Sequence, residues 1–201
     1  YAACTNDLSE PEPIAAADVP AWADEADVVV CGCGLAGIAS AASAAENGLN
    51  VVVLEKGEMY AARGGDVAAL GDSVHQEYGI DLDENAFTMD WMTSAAFHAS
   101  ESIVRTFTAR SGEALDWMME KIGKDNLGEV TITFSDGNMD CSGITWWASQ
   151  VCFKQWYSVV GLLLDYAVAQ GAQVLYETPA CQLVSGENGA VTGVIAKNAD
   201  G

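Results

Sequence analysis

The sequence contains few basic residues. Of its 201 residues, 8 are Lys or Arg and 29 are Asp or Glu, which gives a formal net charge of −21 at pH 7. Nucleic-acid sites need a positive surface for the phosphates, so this composition predicts no nucleic acid among the partners. The acidic residues form either a solvated surface or a docking surface for a cationic partner, such as a basic electron-transfer protein.

Long apolar runs and metal-binding patterns are also lacking. No apolar run approaches the roughly 20 residues of a membrane-spanning helix, so the sequence predicts no transmembrane segment. The six cysteines show neither a CxxC pair nor a histidine at zinc spacing, and we therefore predict no metal site. Cys31 and Cys33 are too close in sequence for an unstrained disulfide, and we interpret both as small packing residues.

Residues 1–26 lack the periodic apolar pattern of a folded element. They are rich in Ala, Pro and acidic residues, which predicts a flexible acidic leader ahead of a folded domain at residues 27–201. Small residues before Cys4 and polar residues after it resemble the end of a bacterial export signal with a lipidated cysteine. This pattern predicts an exported, extracytoplasmic protein with a lipid anchor. The alternative is a cytoplasmic protein whose leader carries an incidental cysteine.

Short apolar runs and glycines indicate one β-α-β unit after this leader. Residues 26–31 and 50–55 are continuous apolar runs, typical of strands buried on both faces of a parallel sheet. Between them, residues 35–47 are rich in alanine and end at Asn47-Gly48, which predicts a helix with a glycine stop. A strand, turn, helix and strand within about 30 residues are typical of a right-handed βαβ crossover.

The rest of the sequence predicts a mixed α/β fold. Residues 56–73 have two glycine clusters and no steady period, which predicts a loop, whereas residues 83–123 have helical periodicity. Later patterns predict a strand at 129–134, a helix at 157–169, a buried strand at 172–177 and a hairpin around 187–189. Residues 135–152 give no prediction. We expect a Rossmann-like fold with a parallel sheet, a helical insert and a C-terminal β-hairpin or meander.

Three glycines between the first strand and the helix match G-x-G-x-x-G. Gly32 allows a tight turn, Gly34 lets the backbone approach a pyrophosphate, and Gly37 lets the helix pack close to the strand. Glu55 ends the second strand, where a carboxylate accepts hydrogen bonds from a ribose diol and disfavours the 2′-phosphate of NADP. The turn therefore predicts a dinucleotide site for NAD or FAD. The alternative is a glycine turn that serves packing alone.

Four stretches of the sequence resemble one family of flavoproteins. They are DVVVCGCGLAGIASAASAAENGLNVVVLEKGE, ARGGD, SGEALDWMMEKIG and GLLLDYAVAQGAQVLYETPACQLVSGENGAVTGVIA. Together they resemble the FAD domain of the fumarate reductase and succinate dehydrogenase flavoprotein family, especially its soluble flavocytochrome-like reductases. The resemblance implies an FAD-binding fold. It also implies that this chain is the N-terminal part of a longer flavoprotein, with the capping domain and the second half of the FAD domain outside it.

The same resemblance implies residues for the adenosine and pyrophosphate parts of FAD. Glu55 would bind the adenosine ribose, Lys56 would lie beside the adenine, and Ala180 would meet the adenine with its backbone. Backbone atoms would hold the pyrophosphate at Gly32, Gly34, Leu35, Ala36 and Gly37.

A second stretch would follow FAD towards its flavin ring. The resemblance implies that Gly64, Gly65 and Asp66 run along the diphosphate and ribityl chain. Asp66 stands where the family usually has Asn, Ser or Thr, so its charge must point away from the pyrophosphate or pair with Arg63. The histidine motif of covalent relatives does not follow Gly65, so we expect non-covalent FAD.

The implied function is that of a flavin-dependent oxidoreductase. The longer protein would use FAD to reduce an activated C=C bond of a small fumarate-like or other α,β-unsaturated acid, with electrons from a donor protein or domain. We assign no catalytic residue within the chain, and we expect the chain alone to be inactive. Two alternatives stay open, an NAD-dependent dehydrogenase and a non-catalytic dinucleotide-binding module.

The remaining candidates are two histidines and a group of aromatic residues. We interpret His75 and His98 as surface or packing residues, and only His75 is near enough to the flavin loop in sequence to be a weak site candidate. Four aromatic residues have spacings that favour the core over the wall of a flavin pocket, namely Trp146, Trp147, Trp156 and Tyr157.

Overall fold

The computed structural model describes residues 14–19, 21–132 and 149–197. The elements in chain order are β1 (Ile14–Ala15), β2 (Val28–Cys31), α1 (Leu35–Glu46), β3 (Val51–Leu54), β4 (Asp66–Ala68), α2 (Ser73–Glu77), α3 (Glu84–Ser94), α4 (Glu101–Ile122), β5 (Val130–Ile132), β6 (Gln150–Phe153), α5 (Trp156–Ala169), β7 (Gln173–Leu175), β8 (Ala180–Ser185) and β9 (Val191–Ala196). Short 3-10 helices lie at Ala16–Asp18, Lys124–Asn126 and Glu187–Gly189. The chain divides into two compact units, formed by the described parts of Tyr1–Ala61 with Ala167–Gly201 and of Ala62–Tyr166.

A parallel sheet forms the centre of the first unit. Its strand order among the described residues is β2-β3-β7, and every neighbouring pair is parallel. Helix α1 packs against β2 and β3, and three of its four buried residues are alanines, which let a helix approach a sheet closely. The predicted βαβ unit and the α/β fold class are confirmed.

Burial differs between the first two strands of this sheet. All four residues of β3 are buried, as the sequence predicts. In β2 burial alternates, and Val29 is 39% exposed, so the prediction of burial on both faces is wrong for β2. The reason is that β2 lies at the edge of the described sheet and that α1 covers one face of it. Cys31 is exposed and Cys33 is buried, so the packing interpretation is right for Cys33 and wrong for Cys31.

A second sheet in the same unit has the order β1-β8-β9. Strands β8 and β9 are antiparallel across the turn at Glu187–Gly189, which confirms the predicted hairpin. Strand β1 adds to β8 in parallel, and the ring of Trp22 lies so close to Gly193 that a Cβ there would be 2.6 Å from it. Part of the stretch expected as a leader therefore contacts the hairpin, while the boundary at residue 26 stays a prediction.

The second unit combines a small antiparallel sheet with helices. Its strand order among the described residues is β4-β6-β5. Helices α3 and α4 pack together, and the ring of Trp91 makes edge contacts with Phe87 and Phe107 at centroid distances of 6.0 and 5.1 Å. These helices confirm the helical prediction for residues 83–123. The predicted loop at 56–73 contains β4 and the start of α2, which the sequence pattern did not reveal.

Helix α4 is held against the chain before α2 through a glycine. A Cβ at Gly112 would lie 2.1 Å from the carbonyl oxygen of Leu70, so only glycine lets the two backbones approach this closely. Beside this contact, the hydroxyl of Ser111 accepts a hydrogen bond from the N–H of Leu70 at 3.1 Å. The carboxylate of Asp116 accepts hydrogen bonds from the N–H and the hydroxyl of Ser73 at 2.9 and 2.7 Å.

Substituting this glycine tests the close approach. Alanine at an exposed helix position would be about 1 kcal/mol more favourable than glycine. We nevertheless expect Gly112→Ala to lower the free energy of unfolding by about 2 kcal/mol, because the methyl group overlaps a backbone carbonyl. Urea unfolding followed by tryptophan fluorescence measures this. Thr106→Ala, at an exposed position of the same helix, is the control and should be near neutral. A Gly112→Ala variant as stable as the control would contradict the contact.

Candidate functional site

The glycine turn joins β2 to α1 in the first unit. Gly32 has a φ of +104°, a conformation that favours glycine, and its N–H donates to the carbonyl of Leu54 at 2.7 Å. A Cβ at Gly37 would lie 2.0 Å from the carbonyl oxygen of Gly32 and 3.2 Å from the side chain of Val30. The backbone therefore requires glycine at both positions. Gly32 allows the turn, and Gly37 allows α1 to approach β2.

Gly34 differs from its two neighbours in the motif. A Cβ built there would meet only the carbonyl oxygen of Ala61, at 3.9 Å, so packing does not require glycine at this position. Gly34 is the N-cap of α1, no side chain caps the helix, and its first turn carries no acidic residue. Backbone N–H groups and the positive end of the helix dipole favour an anion at such a helix start. The turn therefore fits a pyrophosphate.

The Glu55 carboxylate is buried next to this turn. One oxygen, Oε2, accepts a hydrogen bond from the N–H of Cys33 at 2.6 Å, and Oε1 accepts one from the N–H of Gly57 at 2.7 Å. Each carboxylate oxygen has capacity for a further hydrogen bond. The carboxylate is thus fixed in orientation, in a position that suits a ribose diol bound next to the pyrophosphate.

The thiol of Cys33 lies beneath this carboxylate. Burial and the negative charge of Glu55 raise its pKa to about 11, and a hydrogen bond with Tyr176 acts in the opposite direction. The thiol is therefore neutral at physiological pH, and the thiolate needed for redox chemistry is scarce. Cys33 adds no second negative charge beside Glu55.

Other predicted adenosine residues flank Glu55. Lys56 follows it directly and is exposed. The N–H of Thr178 donates to the carbonyl of Glu55 at 2.8 Å, which places the chain just before Ala180 next to the end of β3. Ala180 itself begins β8 opposite Ala196. The first unit thus brings the glycine turn, Glu55 and Lys56 together, and carries the chain towards Ala180.

The predicted flavin-side residues belong to the second unit. Gly64 has a φ of +87°, and the carbonyl of Gly65 accepts a hydrogen bond from the N–H of Phe153 at 3.0 Å. Asp66 begins β4 opposite Cys152, and its carboxylate, through a hydrogen bond, raises the pKa of the Cys152 thiol. The side chains of Arg63 and Asp66 are exposed.

The aromatic residues divide between core and surface. Trp156 is buried, packs against Phe153 at a centroid distance of 5.5 Å and donates from its indole to the carbonyl of Arg63 at 2.9 Å. It is a core residue that also holds the loop before β4. Tyr157 is 47% exposed. Trp146 and Trp147 lie outside the described residues.

His75 lies in a structural pair rather than at a surface. His75 and Asp72 are both fully buried, and their side chains meet at 2.5 Å between Nδ1 and Oδ2. The other carboxylate oxygen of Asp72 accepts from the N–H groups of Val74 and His75, which caps α2. The signal in the sequence is an aspartate three residues before the histidine, at the start of a short helix. His98 is exposed.

The Asp72 carboxyl has a shifted pKa. Burial alone would raise it, yet hydrogen bonds from the His75 ring and backbone, together with the charge of His75, hold the pKa below its ordinary value of 3.8. Within the described part of the chain, no group of three or more Cys, His, Asp or Glu residues could hold a metal ion. No helix in the described ranges is both long and apolar enough to cross a membrane.

The family model for the FAD binding domain matches residues 27–201. The chain therefore belongs to the FAD binding domain family, and its cofactor is FAD rather than the NAD of the alternative prediction. It is 39% identical over 107 residues to digoxin reductase from Eggerthella lenta, covering 49% of this chain and 19% of that protein. It is 27% identical over 184 residues to a fumarate reductase (cytochrome) from Shewanella frigidimarina, covering 87% of this chain and 30% of that protein.

A solved structure shows the same fold. The 3-ketosteroid-delta4-(5alpha)-dehydrogenase from Rhodococcus jostii superposes with a TM-score of 0.77 at 22% identity, covering 94% of this chain and 45% of that one. The chain spans 19% to 30% of the length of the two curated relatives above. These comparisons confirm the resemblance to the fumarate reductase flavoproteins and the FAD-binding fold. The chain is an FAD-binding domain, and its curated relatives include fumarate reductases.

Removing the buried charge tests the role of Asp72. We expect Asp72→Asn to cost about 3 kcal/mol of unfolding free energy at pH 7, because it takes the negative charge from beside buried His75. A carboxyl with a lowered folded-state pKa stabilises the fold above pH 3.8 and loses that contribution as pH falls through its folded-state pKa. The difference between wild type and variant should therefore shrink below pH 3.8 in urea unfolding measured at several pH values.

The matched control is Asp83→Asn at the exposed N-cap of α3, where Oδ1 accepts from the N–H of Ala86 at 2.7 Å. The asparagine would still offer a capping oxygen, so this variant loses only an exposed charge and should cost about 0.5 kcal/mol or less. An Asp72→Asn variant no less stable than this control, or a difference that stays constant down to pH 3, contradicts the buried pair.

Proposed function

We propose that this chain is the FAD-holding portion of a flavin-dependent reductase that delivers a hydride to an activated C=C bond. The observation that carries the proposal is the Glu55 carboxylate, fixed by the N–H of Cys33 beside an uncapped helix start. A carboxylate and an anion-binding turn in this arrangement suit the ribose and pyrophosphate of one dinucleotide.

In this proposal, the residues divide the cofactor among them. The backbone from Gly32 to Gly37 holds the pyrophosphate, and Glu55 holds the adenosine ribose. Lys56 and the backbone of Ala180 lie at the adenine. Gly64, Gly65 and Asp66 follow the ribityl chain, and the charge of Asp66 either points away from the pyrophosphate or pairs with Arg63. When bound, FAD supplies hydride transfer, while the chain binds and orients it without a covalent bond.

The relatives and the charge of the chain support a proposal for the substrate and partners of the enzyme. Two relatives are named as reductases, of fumarate and of digoxin, which supports reduction rather than oxidation as the reaction. A small α,β-unsaturated acid is the proposed substrate. The net charge of −21 suits a cationic electron-donor protein or domain. We further propose export, with Cys4 as the lipidated residue.

Cofactor retention tests the position of FAD. After incubation with excess FAD and removal of unbound cofactor, we expect the visible spectrum to show about one flavin per chain. Gly34→Ala should keep the fold, at a cost of no more than about 1 kcal/mol, because a Cβ there lies 3.9 Å from the nearest backbone atom. It should weaken FAD binding at least about tenfold, because its methyl group enters the space proposed for the pyrophosphate.

Ser40→Ala, at an exposed position on the same helix, is the matched control and should retain FAD as the wild type does. A Gly34→Ala variant that is folded and binds FAD with unchanged affinity places the pyrophosphate elsewhere.

Turnover tests the proposed reaction. The full-length protein, loaded with FAD, should oxidise reduced viologen when fumarate or another α,β-unsaturated acid is present. Reduction of one C=C bond takes up two electrons and two protons, so two one-electron viologens are consumed for each product formed. Succinate, which lacks the double bond, is the control and should cause no oxidation. Flavin-loaded protein that reduces no unsaturated acid would instead support the non-catalytic binding module.

A further inference from the structure

The chain after β7 is tied to the end of β3 by backbone hydrogen bonds. The N–H of Glu55 donates to the carbonyl of Leu175 at 2.9 Å, and the N–H of Thr178 donates back to the carbonyl of Glu55 at 2.8 Å. The N–H of Glu177 donates to the carbonyl of Gly57 at 2.9 Å. Residues 175–178 therefore have a fixed position beside Glu55.

This segment contains a strained residue. Glu177 has a φ of +51°, in the left-handed region that non-glycine residues rarely adopt. Two hydrogen bonds hold the chain in this conformation. The N–H of Glu177 donates to the carbonyl of Gly57, and the hydroxyl of Thr178 donates to the carbonyl of Tyr176 at 2.8 Å. Strained residues persist where the surrounding structure over-determines them, and they cluster at ligand-binding segments. Glu177 directly follows Tyr176, at the point where the chain leaves β7.

The side chain of Tyr176 meets the glycine turn. Its hydroxyl shares a hydrogen bond with the thiol of Cys33, which is fully buried within the turn. The N–H of the same cysteine donates to Oε2 of Glu55. Tyr176 is 37% exposed, so the residue is partly open to solvent.

We propose that Tyr176 is an adenosine-binding residue of the FAD site and that Cys33 is the positioning residue that fixes its ring. The inference rests on the proposed position of FAD at the glycine turn. An aromatic ring offers a flat apolar surface to adenine or ribose, and its contact is independent of the hydrogen bonds made by Glu55. Tyr176 acts on the adenosine half of FAD, which FMN lacks.

Binding of ADP and FMN, which contain the two halves of FAD, distinguishes a role at the adenosine from a structural role. In calorimetric titrations of the purified protein, we expect Tyr176→Ala to weaken binding of FAD and of ADP by about tenfold each, as for loss of one aromatic contact. Binding of FMN should be unchanged. Tyr78→Ala is the matched control, since Tyr78 is a tyrosine of similar exposure, 42%, in the second unit, and it should change neither titration.

Conservative variants test the part played by Cys33. Tyr176→Phe keeps the ring and loses the hydroxyl, so ADP affinity should fall by about threefold. Cys33→Ala should give the same loss, and the double variant should lose no more than either single variant, because both remove one interaction. Cys33→Ser keeps a hydrogen-bonding group and should restore most of the affinity.

The outcomes separate this inference from the proposal on which it rests. If the wild-type protein binds neither FAD nor ADP, the proposed function fails and the inference falls with it. If wild type binds and Tyr176→Ala binds ADP equally well, or loses FMN and ADP to the same extent, the inference alone is overturned. Should Tyr176→Ala fail to fold, the cycle of Tyr176→Phe and Cys33→Ala decides, and additive losses overturn the pairing.

Discussion

The hydrogen bond from the N–H of Cys33 to Oε2 of Glu55 joins the two ends of the βαβ unit. It links the turn after β2 to the end of β3, on the side where the carboxyl ends of the parallel strands lie. The carboxylate is buried, and its two oxygens accept hydrogen bonds from the N–H groups of Cys33 and Gly57, as buried polar groups require. Glu55 accepts hydrogen bonds from Gly57, from Thr178 in the segment before β8 and from Cys33 at the entry into α1. A change that moves Glu55 would therefore break hydrogen bonds to Cys33, Gly57 and Thr178.

The chain carries a large negative charge and yet binds a cofactor with a charged pyrophosphate. In the proposed site, backbone groups of the first unit, and not cations, would hold the pyrophosphate. The start of α1 carries neither a capping side chain nor an acidic residue in its first turn, so no charge within that turn opposes an anion there. Glu55 is an acidic residue beside the turn, and each of its two oxygens accepts one backbone hydrogen bond. A site of this kind depends on the geometry of the turn, and bulk electrostatics contribute little to it.

Local patterns in the sequence predicted the parts of the fold that depend on local interactions. The aliphatic runs of β2 and β3 and the glycine turn indicate the βαβ unit because each residue's role is set by its neighbours. Strands β4 and β6 escaped prediction because three or four residues carry no period, and their pairing is set by distant partners. The exposure of Cys31 depends on what covers β2. Tyr176 carries no motif, and its position follows from hydrogen bonds between segments more than a hundred residues apart in sequence.

The first unit is discontinuous in sequence, since its two parts flank the second unit. Strand β3 pairs with β7 through Val53 and Val174, and β1 pairs with β8 through Ile14 and Val184. During synthesis, the N-terminal part leaves the ribosome long before these partners exist. The second unit is contiguous in sequence, and its described strands pair only with one another. We therefore expect it to fold before the strand partners of the first unit have been translated. The N-terminal part of the first unit thus completes its sheets only after β7 and β8, which follow the whole second unit in sequence, have been translated.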